Sequence, residues 1–235
     1  KKIMQKSLLI FCMSEWAAKS VIHDYKIEES KVHILRGGAN LKQVIFKNYL
    51  YQKITNNYLS KEPLILGFIG KDWERKRGSF VLKVIEKLNS DGIRAYLRVI
   101  GPNKNKLPKS PFLQPLGFFD KSKEFDRFVK EIRSWHFSTL FSGSEASPRA
   151  NLESLILGVP VLTHDIGGIS STFPDENCGK IFDAYPTVLE VANWIKNKIS
   201  NYEKYLLSRT ELTRRFNEFS WDQSVDKFDQ IMNNL

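Results

Sequence analysis

Phe141-Ser142-Gly143-Ser144-Glu145-Ala146-Ser147-Pro148-Arg149-Ala150-Asn151-Leu152-Glu153, continued by Ser154-Leu155-Ile156-Leu157-Gly158-Val159-Pro160-Val161-Leu162, reads as strand, loop, short helix and strand. A helix crossing between two apolar, β-rich runs is the repeating unit of a parallel sheet. The same alternation continues on both sides. Strands are expected at residues 8–12, 32–35, 64–69, 95–100, 137–141, 159–163 and 180–182, with a further short one before Gly117-Phe118. Between them, Phe80, Val81, Val84, Ile85 and Leu88 form one helical stripe, and Phe125, Phe128, Val129 and Ile132 another. The fold class that follows is α/β, a Rossmann-like parallel sheet flanked by helices.

Within the opening stretch, Ser147 is the expected N-cap and Pro148 the first helical residue, so the amides of Arg149, Ala150 and Asn151 point outward as an anion site. Glu145 lies in the loop at the carboxyl edge of its strand and Glu153 in the helix, with seven residues between them. Both carboxylates can line one cleft. Singly, each has an ordinary explanation, as an exposed loop acid and as a favourable charge near a helix start.

Upstream, the strand at 64–69 runs into Gly70-Lys71-Asp72-Trp73-Glu74-Arg75-Lys76-Arg77-Gly78. Ligands of open α/β sheets bind at such strand ends, and arginine grips phosphate oxygens in pairs. A solvated charged loop is the competing interpretation. Downstream, Asp165-Ile166-Gly167-Gly168-Ile169 places a glycine turn on the same edge.

Composition sets the wider limits. With 235 residues, 42% hydrophobic and 26% charged, the chain is of the soluble globular class. Its 36 Lys+Arg against 26 Asp+Glu leave a formal charge of +10, which suits an anionic partner: a nucleotide diphosphate, nucleic acid or an anionic membrane face. No RNA-type aromatic motif or recognition-helix signature accompanies the charge, so nucleic acid is not the expected partner. Cys12 and Cys178 lie far apart with no metal-type spacing, as suits the reducing cytoplasm. The apolar run at residues 7–13 is too short to span a bilayer, so membrane contact, on the cytoplasmic face, would be peripheral. His23, His33, His136 and His164 are scattered, and no metal is expected.

The residues after Thr187 look helical to the end, broken near Phe219-Ser220-Trp221-Asp222, with Ser220 as N-cap of a last helix. Residues 101–111 read as a loop, and polar residues 47–62 as a linker.

Taken in order, the cationic loop, Glu145 and Glu153, the Gly158-Val159-Pro160-Val161 strand and the Gly167-Gly168 turn resemble the retaining nucleotide-sugar glycosyltransferases of glycosyltransferase group 1, family 4 of the carbohydrate-active enzymes. That resemblance implies one half of a two-domain GT-B-type architecture. Residues 1–45 would be a remnant of the N-terminal acceptor domain with its linker, 46–218 the donor-nucleotide-binding domain, and 219–235 a helix returning toward the first domain. Cys12-Met13-Ser14-Glu15-Trp16-Ala17, a helix to Tyr25, and the strand ending in Arg36-Gly37-Gly38-Ala39-Asn40 look like the last strand-helix-strand of that first domain.

By the same resemblance, Arg75 and Lys76 neutralise the donor diphosphate, with Arg77 an alternative for the second role. Glu153 binds the ribose hydroxyls, and Glu145 is the catalytic acid facing the transferred sugar. Amides near Asn151 and Leu152 cap the phosphates, Gly38 belongs to a Gly-x-Asn turn into the cleft, and Phe118 flanks the base. The nucleotide sugar is then a substrate, no cofactor is implied, and the acceptor, glycan, lipid or protein, is held largely by the missing N-terminal domain. Two departures stand out: Pro148-Arg149-Ala150-Asn151 replaces a customary Phe-Gly pair and small apolar run, and Ser170-Ser171 stand where an acid usually follows the glycine pair. A non-catalytic nucleotide- or anion-binding module and a nucleotide-sugar epimerase share this architecture and remain as alternatives.

Overall fold

A computed structural model describes residues 1–41 and 63–234. The expected linker at 47–62 lies outside the described residues.

Eight strands are described: β1 (Ile10–Cys12), β2 (Val32–Ile34), β3 (Leu64–Ile69), β4 (Ala95–Ile100), β5 (Leu113–Gly117), β6 (Phe137–Leu140), β7 (Val161–His164) and β8 (Gly179–Phe182). The last six form one sheet in the order β5-β4-β3-β6-β7-β8, with every neighbouring pair parallel. The chain lays down β3, β4 and β5 toward one edge, then returns to β6 and proceeds to the other. Crossovers on either side of β3 and β6 therefore leave in opposite directions and open a crevice above their carboxyl ends.

Helices α1 (Lys2–Lys6), α2 (Glu15–His23), α3 (Gly78–Ser90), α4 (Phe125–Arg133), α5 (Arg149–Ile156), α6 (Val188–Ser200), α7 (Tyr202–Arg214) and α8 (Trp221–Met232) complete the described structure. On one face of the sheet, Leu64, Leu66 and Phe68 pack with Val81, Val84, Ile85 and Leu88 of α3 and Val191, Ala192 and Ile195 of α6. On the other, Ile65 packs with Phe125, Phe128, Val129 and Ile132 of α4 and Leu152, Leu155 and Ile156 of α5. Both expected apolar stripes thus face a core.

Strands β3 and β4 begin and end where the sequence places them. Elsewhere boundaries move for local reasons. The strand expected at 159–163 begins at Val161, because Pro160 has no N–H to pair and only its carbonyl is used, accepting from Ser138 N at 2.9 Å. Pro115 is tolerated within β5 because β5 is an edge strand. The tail is not one helix up to Phe219: it breaks at Asn201, whose extended-side ψ of 78° ends α6 and whose side chain caps Lys204 N at 3.1 Å. Ser220 does precede α8, but its hydroxyl donates back to Asn217 O at 2.9 Å instead of capping.

A smaller unit of β1, α2 and β2, with Cys12, Ala18, Val21 and Ile27 at its centre, packs beside the carboxyl edge of the main sheet. Cys12 and Cys178 are both free and buried. Backbone, ring and side-chain contacts join the unit to the rest. Ala39 N donates to Phe219 O at 2.7 Å, the Phe11 and Phe228 rings stand 5.3 Å apart, and Glu15 N donates to Ser171 Oγ at 3.2 Å. The Ser171 hydroxyl donates to the Glu15 carboxylate in return, and Arg36 pairs with it at 2.5 Å. An acid from the first unit therefore meets Ser171, at the place where the sequence lacks its own.

Burial alone would raise the Glu15 carboxyl, but the Ser171 hydroxyl and Arg36 outweigh it and hold it at about 2, below its ordinary 4.5. A folded value below the unfolded one stabilises above about pH 4.5, and that contribution disappears as pH falls toward 2. Urea midpoints of wild type and Glu15→Gln should accordingly differ at neutral pH and converge in acid. A difference that stays constant with pH would contradict this role for the joint.

Candidate functional site

The loop after β3 is a built structure. Trp73 is buried in the core, and a Cβ on Gly78 would lie 2.2 Å from its ring, so the glycine is what lets α3 begin there. Asp72 Oδ1 accepts from Arg75 N at 3.0 Å, which turns the chain so that Arg75 faces the loop after β6. The two loops are tied together by Gly143 N, which donates to Arg75 O at 2.8 Å.

At this junction, above β3 and β6, the cations and one acid meet. Arg75 Nη1 donates to Ser142 Oγ at 3.1 Å, to Ser144 O at 2.7 Å and to Glu145 Oε1 at 3.1 Å. Lys76 Nζ approaches the same Glu145 oxygen, also at 3.1 Å. Arg77 does not share in this. Its φ of 51° is left-handed, and its guanidinium stacks on Phe80 at 4.7 Å and Tyr185 at 5.0 Å. Of the two residues considered for the second cationic role, Lys76 is therefore the one beside Glu145.

Buried groups support the Glu145 loop from behind. Tyr185 N donates to His164 Nδ1 at 3.1 Å, so Nε2 carries the proton and donates to Ser142 O at 2.8 Å. Burial lowers the His164 pKa, which favours this neutral form. The glycine turn presses from the other side: Gly168 N donates to Glu145 O at 2.9 Å, and a Cβ on Gly168 would stand 1.8 Å from Ala146 O. Gly168→Ala should force the 145–147 backbone to shift and cost about 1–3 kcal/mol, measured as a lower urea midpoint. An unchanged midpoint would contradict so close an approach.

The helix start differs from expectation. Pro148, at φ −73° and ψ 111°, is extended and occupies the N-cap position, so α5 begins at Arg149 and Ser147 makes no cap. The Asn151 amide is not open, since it donates to Pro148 O at 3.3 Å, and its side chain donates to Thr172 Oγ1 at 3.0 Å. Leu152 is part of the core.

Glu153 forms a second cluster, only 3% exposed in α5. Lys121, from the loop between β5 and α4, pairs with its Oε1. The Asn40 backbone amide also donates to it, while Asn40 Oδ1 accepts from Trp221 Nε1 at 3.1 Å. Arg149 bridges onward, donating to Gly38 O at 3.0 Å with its guanidinium 4.4 Å from the Trp221 ring centroid. Gly38 is where α8 abuts the first unit, since a Cβ there would lie 2.2 Å from Trp221 N. Phe118 is 64% exposed, with Lys71 Nζ 5.4 Å from its ring centroid.

Arg75 and Lys76 thus both contact Glu145, while Glu153 belongs to a neighbouring cluster with Lys121 and Asn40. Both clusters stand on loops and helix starts at the same edge of the sheet. Lys121 has no place in the sequence reading, Lys71 enters it only as part of the cationic loop and Arg149 only for its amide: each side chain reaches its partner through tertiary proximity, and an isolated cation carries no local signal of that. Among the described residues, no three His, Cys, Asp or Glu side chains gather as a metal site, and no helix is long and apolar enough to cross a membrane.

A family model for glycosyl transferases group 1 matches residues 52–215, more than half of the chain. No curated protein matches the sequence. The fold is similar to that of a glycosyltransferase from Rickettsia africae ESF-5, with a TM-score of 0.73 and 17% identity over 97% of this chain and 64% of that one. Anabaena Alr3699/HepE, solved in complex with UDP and glucose, aligns with a TM-score of 0.69 and 13% identity over 97% of this chain and 64% of that one. WaaG, a glycosyltransferase involved in lipopolysaccharide biosynthesis, aligns at 0.65 and 15% identity over 92% of this chain and 60% of that one. The chain spans less than two thirds of the length of each of these structures.

Proposed function

The chain belongs to the glycosyl transferases group 1, and on that footing we propose that it binds a nucleotide-diphosphate sugar above β3 and β6 and serves transfer of the sugar to an acceptor with retention at the anomeric carbon. The observation that carries this is the meeting of Arg75, Lys76 and Glu145 at the point where the sheet reverses its order. Two cations held by one carboxylate are an anion site with an internal occupant. An arriving diphosphate offers them more oxygens than Glu145 does, and the carboxylate is then released toward the sugar.

Each residue has a distinct part in the chemistry. As the bond between the anomeric carbon and the diphosphate breaks, negative charge grows on the leaving oxygens and Arg75 and Lys76 stabilise it. Positive charge grows on the sugar ring, and Glu145 faces it. Glu153 accepts from the ribose hydroxyls, and exposed Phe118 supplies a surface against the base. Of the two positions at the start of α5, Leu152 serves through its main-chain amide, while Asn151, its amide on Pro148 O and its side chain on Thr172, shapes the helix start behind it. Two fixed cations provide the charge that a divalent ion supplies elsewhere, so binding should survive chelation.

The acceptor side of the cleft is proposed to come from a second Rossmann-like unit, to which β1, α2 and β2 would belong, with α8 returning to it. The described contacts of α8 with Phe11, Arg36 and Asn40 support that arrangement.

A thermal-shift screen tests the donor. A nucleoside-diphosphate sugar at about 100 times its Kd should stabilise by about 2.7 kcal/mol, a rise in Tm of roughly 5–10 °C for a chain of this size. A short oligonucleotide should leave Tm unchanged. The reverse pattern would sink the donor proposal in favour of a nucleic-acid-binding module, and an isomerised nucleotide sugar as product would identify an epimerase instead.

A further inference from the structure

Glu153 is a carboxylate in a place that disfavours carboxylates. Burial raises its pKa, and only paired or multiply hydrogen-bonded acids stay ionised in such surroundings. The charged groups facing it are Lys121, from the loop between β5 and α4, and Arg149 of its own helix, together with the Asn40 amide from the first unit. Arg149 is engaged with Gly38 O and the Trp221 ring. Lys121 is the cation in direct contact, its ammonium also standing 4.6 Å from the Phe128 ring centroid, and about a third of its side chain reaches solvent.

We propose that Lys121 is a further donor-site residue, a positioning group that keeps the Glu153 carboxylate charged so that it accepts the two ribose hydroxyls of a nucleoside diphosphate throughout the neutral pH range. This rests on the donor site proposed above. A protonated Glu153 would present one acceptor oxygen and one O–H donor, and the charge-assisted strength of both hydroxyl contacts would be lost. Lys121 prevents that by lying against Oε1, and with about a third of its side chain open to solvent the ammonium can give way to the ribose and still hold the charge.

The test uses Lys121→Met, which keeps the stem on Phe128 without the charge, and Lys121→Arg, which keeps the charge. The Glu153 carboxyl is followed by carbon-13 NMR against pH, and UDP affinity is measured by calorimetry on the same proteins. In wild type and Lys121→Arg, UDP affinity should stay constant within about twofold between about pH 6 and about pH 8. In Lys121→Met the Glu153 midpoint should rise, and UDP should bind about tenfold more weakly at the acid end than at the alkaline end. A Glu153 midpoint that is the same with methionine as with lysine overturns the proposal whatever UDP does. A raised midpoint in a protein that binds no nucleotide in any form removes the donor reading and leaves the Lys121–Glu153 charge pair standing.

Discussion

Replacing Arg75 and Lys76 together by alanine should weaken nucleoside-diphosphate binding by roughly 10²–10³-fold, because two charge-assisted contacts of about 1.5–2 kcal/mol each are lost. The protein should stay folded. The loop that carries them is held by Trp73 in the core, by Asp72 on Arg75 N and by Gly143 N on Arg75 O, none of which needs the two cationic side chains. Calorimetric titration of the double variant with UDP, checked by circular dichroism, reads both halves of the expectation. An affinity equal to wild type would show that the cations balance Glu145 and do nothing more. Arg77→Ala is the matched control: its guanidinium faces Phe80 and Tyr185, so its loss should leave UDP affinity within about twofold of wild type.

Glu153→Gln should act in the opposite sense on stability and binding. Keeping a carboxylate ionised while 3% exposed opposes folding, and Lys121 offsets only part of the desolvation. The amide removes that penalty and frees Lys121 to reach water, so Tm should hold or rise by about 2–4 °C, equivalent to about 1 kcal/mol. UDP affinity should fall at least about tenfold, since an amide replaces a charged acceptor of both ribose hydroxyls by a neutral group with one acceptor oxygen. Parallel loss of stability and affinity would mark Glu153 as a structural residue. A variant that gains stability as it loses its ligand is the signature of a group retained for function.

The sheet was legible because its signals are local. Residues 64–69 and 95–100 are unbroken apolar or alternating runs bounded by loops, and both become strands with the expected ends. The stripes at 80–88 and 125–132 turn inward as their spacing requires. Errors gather where backbone chemistry decides by one residue: Pro160 delays β7, Pro148 takes the cap position expected of Ser147, and Asn201 divides a helical tail that periodicity alone would run together.

The site was legible only as a set of parts. Spacing placed Arg75, Lys76 and Glu145 on loops at one edge, but their contact depends on β3 and β6 being neighbours, which follows from strand order and from no single motif. Lys121 lies thirty-two residues before Glu153, and Glu15 lies 156 residues before Ser171; neither pairing leaves a trace in local sequence. The departure at Ser170-Ser171 was visible in the sequence, whereas the contact of Ser171 with Glu15 required the packing of the first unit against the glycine turn.

The central claim is that Arg75, Lys76, Glu145 and Glu153 together line one crevice that takes a nucleoside diphosphate. A crystal structure of the chain with UDP tests it most directly. The expected result has diphosphate oxygens on the Arg75 guanidinium and the Lys76 ammonium, the Glu145 carboxylate displaced from both, and the ribose hydroxyls on Glu153. UDP bound elsewhere, with the Arg75–Glu145–Lys76 contacts intact, would contradict it.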